Sequence, residues 1–284
     1  MGIETHDPGK LRITVIIAVR NGAKTLQRAL DSVFEQTYEH IELVVMDGAS
    51  TDGTKAILER NSASIAYWES EPDRGLYHAW NKALDHATGD WICFLGADDR
   101  YHAPDVMARI ATALATDDGR HRVAYGTIVV VSEDGLVARP VGRPWDAARR
   151  RRFLRGKIMP HPATFHHRTL FDRHGRFDER FRIAGDFEFL LRELLDNDPL
   201  FIDVLVTEMS AGGLSNRRST YSLLLRERHR AMYAHGLDKA PAWRSGRLIR
   251  QLCKAWISHH VGQRTATRVG ETYRFIARKL TRRR

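Results

Sequence analysis

Apolar positions along the first hundred residues come in two alternating kinds of run. LRITVIIAV, from Leu11, is short, β-branched and apolar at consecutive positions, which predicts a strand buried on both faces. It breaks at Arg20-Asn21-Gly22. Leu26, Leu30, Val33 and Phe34 then recur at helical spacing before a break at Gln36-Thr37-Tyr38. IELVVMD predicts a second buried strand ending at Asp47, followed by a helix start from Thr54 to Arg60, and SIAYWES predicts a third strand. GLYHAWNKALDHAT reads as a helix closed by Gly89, and DWICFLGADD as a fourth strand ending in two adjacent Asp. Strand alternating with helix at this pitch predicts an α/β fold, a mostly parallel sheet with helices on both faces. Ligands of such sheets bind at the carboxyl ends of the strands.

Composition agrees with a folded chain. The 284 residues are 43% hydrophobic, with six Trp and eleven Phe, enough for one large or two unequal domains with a sizeable core. The longest apolar run, Ile13 to Val19, falls far short of the roughly 20 residues that span a bilayer, and the polar start MGIETHDPGK lacks a signal-peptide profile. Both predict a chain on the cytosolic side. Cys93 and Cys253 have neither disulfide-framework nor metal-ligand spacing, as expected of packing residues in a reducing compartment.

Charge divides the chain in two. Residues 216–284 carry 18 Lys/Arg against Glu227, Asp238 and Glu271, a net +15, whereas residues 1–215 carry 27 basic and 32 acidic residues, a net −5. The acidic head, 1–215, is expected to be the binding or catalytic domain. The basic tail, 216–284, is expected to meet a polyanion, either nucleic acid or an anionic membrane surface.

Candidate chemistry gathers at the predicted strand ends: Arg20-Asn21 after the first, Asp47 after the second, Asp98-Asp99 after the fourth. Turn chemistry alone also favours Asp, Gly and Ser in the loop DGASTDGT, and adjacent Asp also suit the cap of a helix beginning near Pro104. A calcium-binding EF-hand is excluded, because Gly53 at the invariant sixth position puts Gly48 where a carboxylate is required. VRNGAKTL contains no GxGxxG, so a dinucleotide-binding turn is excluded too, and the NTPase phosphate loop is absent.

Three segments together carry a resemblance: ITVIIAVRNGAKTLQRALDSVFEQTYEHIELVVMDGASTDGT, SEPDRGLYHAWNKALDHATGDWICFLGADD and HPATFHHRTLFDRHGRFDERFRIAGDFEFLLR. They span nearly all of Leu11 to Arg192. The chain resembles inverting glycosyltransferases of family 2, with the nucleotide-sugar-binding GT-A fold, of the kind that build bacterial cell-surface polysaccharides and glycolipids. The resemblance implies that Asp47 accepts a hydrogen bond from the base of a nucleoside diphosphate, such as the uracil N–H of a UDP-sugar. The first loop reads Ala18-Val19-Arg20-Asn21 where the family has Pro-x-Tyr-Asn, which leaves Ala18 to contact the donor through its backbone and Arg20 to stack its guanidinium on the base. Asp98-Asp99 stand in the place of the DxD motif. Asp99 is implied as ligand of a divalent metal, Mn2+ or Mg2+, that neutralises the leaving diphosphate, and Asp98 as a contact to ribose or sugar.

The same resemblance places Asp73, Tyr77, Asn81 and Lys82 on the donor-sugar side, although each also fits the polar face of a helix. It assigns Asp186 as the base that removes the acceptor proton, with Gly185 where the family has Glu. Asp186 also fits as N-cap of a helix from Phe187 to Leu195. His161, flanked by Pro160 and Pro162, reads as a loop residue outside the core and as a contact to diphosphate, metal or acceptor, and Tyr77 joins it as a candidate for that role.

In the tail, Ile249, Leu252 and Trp256 share one helical face while Arg244, Arg247, Arg250 and Lys254 lie roughly opposite. Val269, Tyr273, Ile276 and Leu280 repeat the pattern. Such basic amphipathic helices either lie on an anionic leaflet or pack on protein. The expected enzyme therefore works at the cytoplasmic face of the inner membrane, taking a nucleotide-sugar donor and a glycan or lipid-linked acceptor. The competing reading is a non-enzymatic nucleic-acid-binding protein using the tail. The acidic head and the scarcity of aromatics interleaved with the tail charges argue against nucleic acid.

Overall fold

Consecutive apolar positions do form strands buried on both faces. β1 (Ile13–Val19) and β2 (Ile41–Asp47) have Val15, Ile16, Ile17, Val44, Val45 and Met46 fully enclosed. Between them, α1 (Leu26–Phe34) buries Leu26, Leu30 and Val33 as their spacing predicts, with Ala29 beside them, but leaves Phe34, expected on the same face, exposed along with Arg28. The computed structural model describes residues 11–117, 119–132, 140–157, 159–211, 220–238 and 252.

The order continues through α2 (Thr54–Asn61), β3 (Tyr67–Ser70), α3 (Leu76–Ala83), β4 (Trp91–Gly96), β5 (Arg100–Tyr101), α4 (Val106–Ala115) and β6 (Val123–Val131). Then follow α5 (Ala147–Phe153), a 3-10 turn (His161–Ala163), β7 (Thr164–His167), α6 (Thr169–His174), α7 (Gly185–Leu194), β8 (Leu200–Ser210) and α8 (Tyr221–Ala234). Two predicted elements are shorter than the pattern suggested. β3 starts at Tyr67, after a 3-10 turn over Ser62–Ser64, and α3 ends at Ala83, six residues before Gly89. Gly89 serves β1 instead: its amide donates to Thr14 Oγ1 at 2.9 Å, and a Cβ there would lie 2.6 Å from the Thr14 amide nitrogen.

Eight strands form one sheet in the order β3-β2-β1-β4-β7-β6-β8-β5. The first four are mutually parallel; β7 runs antiparallel to β4 and β6, and β5 antiparallel to β8. Chain order reverses about β1, so the crevice at its carboxyl end, towards β4, is the expected ligand position. Register brings the strand ends level there: Asp47 pairs with Val19 on one side and with Ser70 on the other, and Ala18 pairs with Gly96. Adjacent strands stand about 4.8 Å apart, so the residues after β1, β2, β3 and β4 share one edge.

The chain divides into two compact units, Met1–Gly213 and Leu214–Arg284. The first contains the sheet and its core. In the second, α8 buries Leu224, Leu225, Ala231 and Met232, and His229 Nε2 lies 3.4 Å from Asp238 Oδ2. The amphipathic stretches expected within 240–284 lie outside the described residues, Leu252 excepted. No helix among the described residues is long and apolar enough to cross a membrane.

Candidate active site

Two strand-end loops are stitched together before any ligand is considered. Asn21 adopts a positive φ of 54° and accepts from the Thr51 amide through Oδ1 at 2.9 Å, while its own amide donates to Ser50 Oγ at 2.7 Å. The Gly22 amide donates to Thr54 Oγ1 and that of Ala23 to Asp52 Oδ2. Asn tolerates the left-handed conformation better than most residues. Asn21 thus sets the shape of the loop after β1 and holds it to the loop after β2.

Asp47 lies deeper than a strand-end loop suggests. It is fully enclosed, with 0% exposure, and its carboxylate accepts from the Ser50 amide at 3.1 Å, from Ser70 Oγ at 2.6 Å and from Ser50 Oγ. Three donors and complete burial make it an anchor of the loop. Sequence reading missed its partner Ser70; counting parallel register from the end of SIAYWES would have found it.

Beside this anchor, Arg20 is exposed and lies across Gly48. A Cβ on Gly48 would sit 3.6 Å from Arg20 Cβ and Cδ and 3.3 Å from Asp73 Oδ2. Asp73 in turn accepts from Lys82 Nζ at 2.9 Å and pairs with His78 Nδ1 at 3.1 Å, and Lys82 also reaches Glu69 at 2.5 Å. Burial alone would lower the Lys82 pKa, but its hydrogen bonds to Glu69 and Asp73 raise it, so the ammonium stays charged. Ala18 is half-buried next to this group.

Asp98 and Asp99 do not cap a helix. The N-cap of α4 is Asp105, and the pair sits in the turn between β4 and β5. The Asp99 amide closes that turn on the Gly96 carbonyl at 3.0 Å, and Asp99 Oδ1 accepts from the Ser210 amide at the end of β8 at 2.9 Å. Asp98 Oδ1 and Asp99 Oδ2 converge: both lie within 3.1 Å of the point a Gly96 Cβ would occupy. Asp99 is 5% exposed. Burial, reinforced by the Asp98 carboxylate, pushes its pKa up to about 7. A carboxylate pair so poorly compensated suits a cation. Among the described residues no group of three His, Cys, Asp or Glu side chains is placed to hold a metal, so an ion here would complete its shell with phosphate and water oxygens.

Three further residues sit elsewhere than expected. Asn81 is buried; its side chain donates to the Phe177 carbonyl at 2.9 Å and accepts from the Phe177 amide at 3.0 Å, which clamps the segment after α6 onto α3. Tyr77 is 1% exposed. His161 is a core histidine after all. It stacks on Trp80 at 5.1 Å and on Phe94 at 5.6 Å, beside the buried His166 at 5.2 Å. Burial drives its pKa down to about 3 and that of His166 well below the usual imidazole range. Flanking prolines suggested a loop, but the aromatic surfaces that bury it come from α3 and β4, distant in sequence.

Asp186 is the second residue of α7 rather than its N-cap; that position belongs to Ala184, which makes no side-chain cap. Asp186 is half-buried, and Tyr77 Oη donates to its Oδ1 at 3.3 Å. The N-terminus of the helix favours the ionised carboxylate. α3 therefore connects two parts of the site: Asp73, just before it, lies beside Gly48, and Tyr77 in its first turn meets Asp186.

Comparison with known proteins identifies the family. The family model for glycosyl transferase family 2 matches residues 14–175. An uncharacterized glycosyltransferase of Mycobacterium tuberculosis is 37% identical over 212 residues, covering 72% of this chain and 78% of that protein. A PGL/p-HBAD biosynthesis glycosyltransferase of the same organism is 33% identical over 210 residues, with the same coverage. The mannosyltransferase PcManGT from Pyrobaculum calidifontis, solved with GDP-Man and Mn2+, superposes with a TM-score of 0.62 at 22% identity, covering 94% of this chain and 81% of that one. Staphylococcus aureus TarS residues 1–349, solved with UDP-GlcNAc, gives 0.58 at 17% identity over 87% and 73%. At such identities the likeness speaks to the fold, and the fold is that of the GT-A enzymes, as expected. Family match, sequence identity and site-bearing sheet edge agree: the chain is a glycosyltransferase and belongs to glycosyltransferase family 2.

Proposed function

We propose that the protein moves a sugar from a nucleoside-diphosphate sugar, with a UDP-sugar as first candidate, to a hydroxyl of a glycan or lipid-linked acceptor, inverting the anomeric centre. The observation that carries this reading is the pair of converging carboxylates, Asp98 and Asp99, at the end of β4. These two residues would hold Mn2+ or Mg2+, which supplies charge neutralisation for the leaving diphosphate. Arg20 offers a planar cation to the nucleotide base. Asp73 and Lys82 face the sugar side. Asp186 takes the proton of the attacking hydroxyl, an effect of roughly 10²- to 10⁴-fold. Inversion requires Asp186 and the leaving diphosphate to flank the anomeric carbon from opposite sides.

Likeness supports the substrate classes. Two structural neighbours were solved with nucleotide sugars, one of them with Mn2+, and a relative is named for PGL/p-HBAD biosynthesis. A product in cell-surface polysaccharide or glycolipid synthesis follows, made at the cytoplasmic face of the inner membrane with the basic tail against anionic lipid. Family membership favours this enzyme over a nucleic-acid-binding role for the tail.

Thermal stabilisation by UDP-glucose, UDP-N-acetylglucosamine and GDP-mannose, each with and without Mn2+, tests the donor. A metal-dependent shift with one of them is expected, and no shift with any of them sinks the reading. With that donor, Asp186→Asn should abolish release of the nucleoside diphosphate while leaving donor binding intact.

A further inference from the structure

The first turn of α7 lacks a cap of its own, since Ala184 at the N-cap has no side chain able to accept. Helix starts leave amide donors that need partners. A side chain from another helix lies against this helix start: Tyr77, in the first turn of α3, donates its O–H to Asp186 Oδ1 at 3.3 Å. At 3.3 Å the contact is longer than an optimal O–H···O bond, as hydrogen bonds in ligand-free active sites often are.

Gly185 makes this approach possible. A Cβ at that position would fall 2.7 Å from Cε2 and 2.8 Å from Cζ of Tyr77, inside the ring's van der Waals surface. The ring cannot retreat easily: it packs edge-on to Trp80 at 5.3 Å and stacks on Phe177 at 5.7 Å, and Phe177 is itself clamped by Asn81. The resemblance puts Glu where Gly185 stands, and no side chain fits there while Tyr77 occupies its place. Tyrosine and glycine form a matched pair around the head of α7.

We infer that Tyr77 is the positioning residue of the base: its hydroxyl donates to the Asp186 carboxylate and fixes that carboxylate's rotamer, and Gly185 is the residue that lets it do so. This rests on Asp186 being the base. A donor fixed by burial loses little entropy when the acceptor proton is transferred, and it favours the ionised form of the carboxylate that must receive it. Tyr77 itself stays protonated, because burial raises its pKa well above the usual phenol range. Charged side chains on the same stretch include Glu188, which accepts from Arg192 on α7, Asp178, which accepts from Arg180 ahead of it, and the exposed Arg182.

The test uses the full chain and the variants Y77F, G185A and D186N. Turnover is read as UDP or GDP release from UDP-glucose, UDP-N-acetylglucosamine or GDP-mannose, with Mn2+ and octyl β-glucoside as acceptor. Y77F should lower kcat about tenfold, the worth of one hydrogen bond to a charged group, with donor KM unchanged. A merely structural tyrosine would shift the melting temperature and leave kcat of the folded enzyme alone. Independently of any substrate, the Asp186 13Cγ resonance, assigned by its loss in D186N, should titrate at higher pH in Y77F than in the wild type. G185A, which pushes the ring aside without removing it, should show the same two effects, even though Gly→Ala near a helix start is ordinarily favourable; it serves as the reading if Y77F does not fold. The double variant should lose no more than the worse single one, because both break one contact. Wild-type kcat and an unmoved titration in a folded variant, with D186N inactive, overturn the positioning role and leave the base assignment standing. Full turnover by D186N overturns both.

Discussion

At the scale of single residues, the decisive facts are about burial. Asp99 and His161 are both enclosed, and enclosure acts on them in opposite chemical directions. It raises the carboxyl of Asp99 to about 7 and lowers the imidazole of His161 to about 3, in each case disfavouring charge. Asp99 has a remedy within reach, since Asp98 stands beside it and a cation held by the pair would restore the ionised form of Asp99. Asp99→Asn should therefore abolish the Mn2+-dependent part of any thermal shift by a nucleotide sugar and lower turnover by about 10²-fold or more. A retained Mn2+ response would remove Asp99 from the metal site. His161 has no such remedy. Its Nε2 and that of His166 are buried without a protein partner. Folded, both imidazoles sit below their unfolded value near 6.5, so the unfolded chain binds more protons between about 6.5 and 3, and stability must rise with pH across that window. Acidifying from pH 7 to 5 should cost about 2 kcal/mol for each of the two. His161→Phe keeps the stacking and removes one titration, so chemical denaturation of this variant between pH 7 and 5 should show a shallower loss. An unchanged slope would mean that His161 is charged or solvated in the folded protein.

At the scale of elements, the first four strands and the helices between them were legible because each has a local signature: a continuous apolar run for a doubly covered strand, a three-four repeat for α1. Boundaries were less legible wherever tertiary contacts set them. α3 stops at Ala83 although its sequence stays helix-like to Thr88, and Gly89 is glycine because β1 passes against it, not because a helix ends there. Gly89→Ala should consequently destabilise the fold by about 1–3 kcal/mol, the usual range for overpacking, measured by urea denaturation. A neutral result would show that β1 and the turn before β4 can separate freely. The second half of the sheet, β5 to β8, carries no comparable early signal. β7 and β8 take their places through pairings with partners from β4 to β6, and β5 has only two residues, recognisable only by its pairing with β8.

At the scale of the whole molecule, charge is the property that a sequence states in full. The +15 of residues 216–284 and the −5 of residues 1–215 hold whatever the fold. A tail of that charge should carry the full-length protein onto vesicles containing anionic phospholipid in a sedimentation assay. Binding should weaken steeply as salt rises, because the attraction is screened within about a Debye length. Equal binding to neutral and anionic vesicles, or none to either, would dismiss the membrane assignment. Sequence alone also determined the alternation of strand and helix, the placing of acidic and basic side chains after strand ends, and the family, because each depends on residue type and local spacing. Only the tertiary structure decided which of those side chains stay available. Strand register enclosed Asp47 between two serines, α3 and β4 closed over His161, and β8 delivered the Ser210 amide to Asp99 across 111 positions. The same packing set Tyr77 against Gly185 and Asp186. Burial and hydrogen bonding between distant segments are properties of the assembled chain, and no local pattern encodes them.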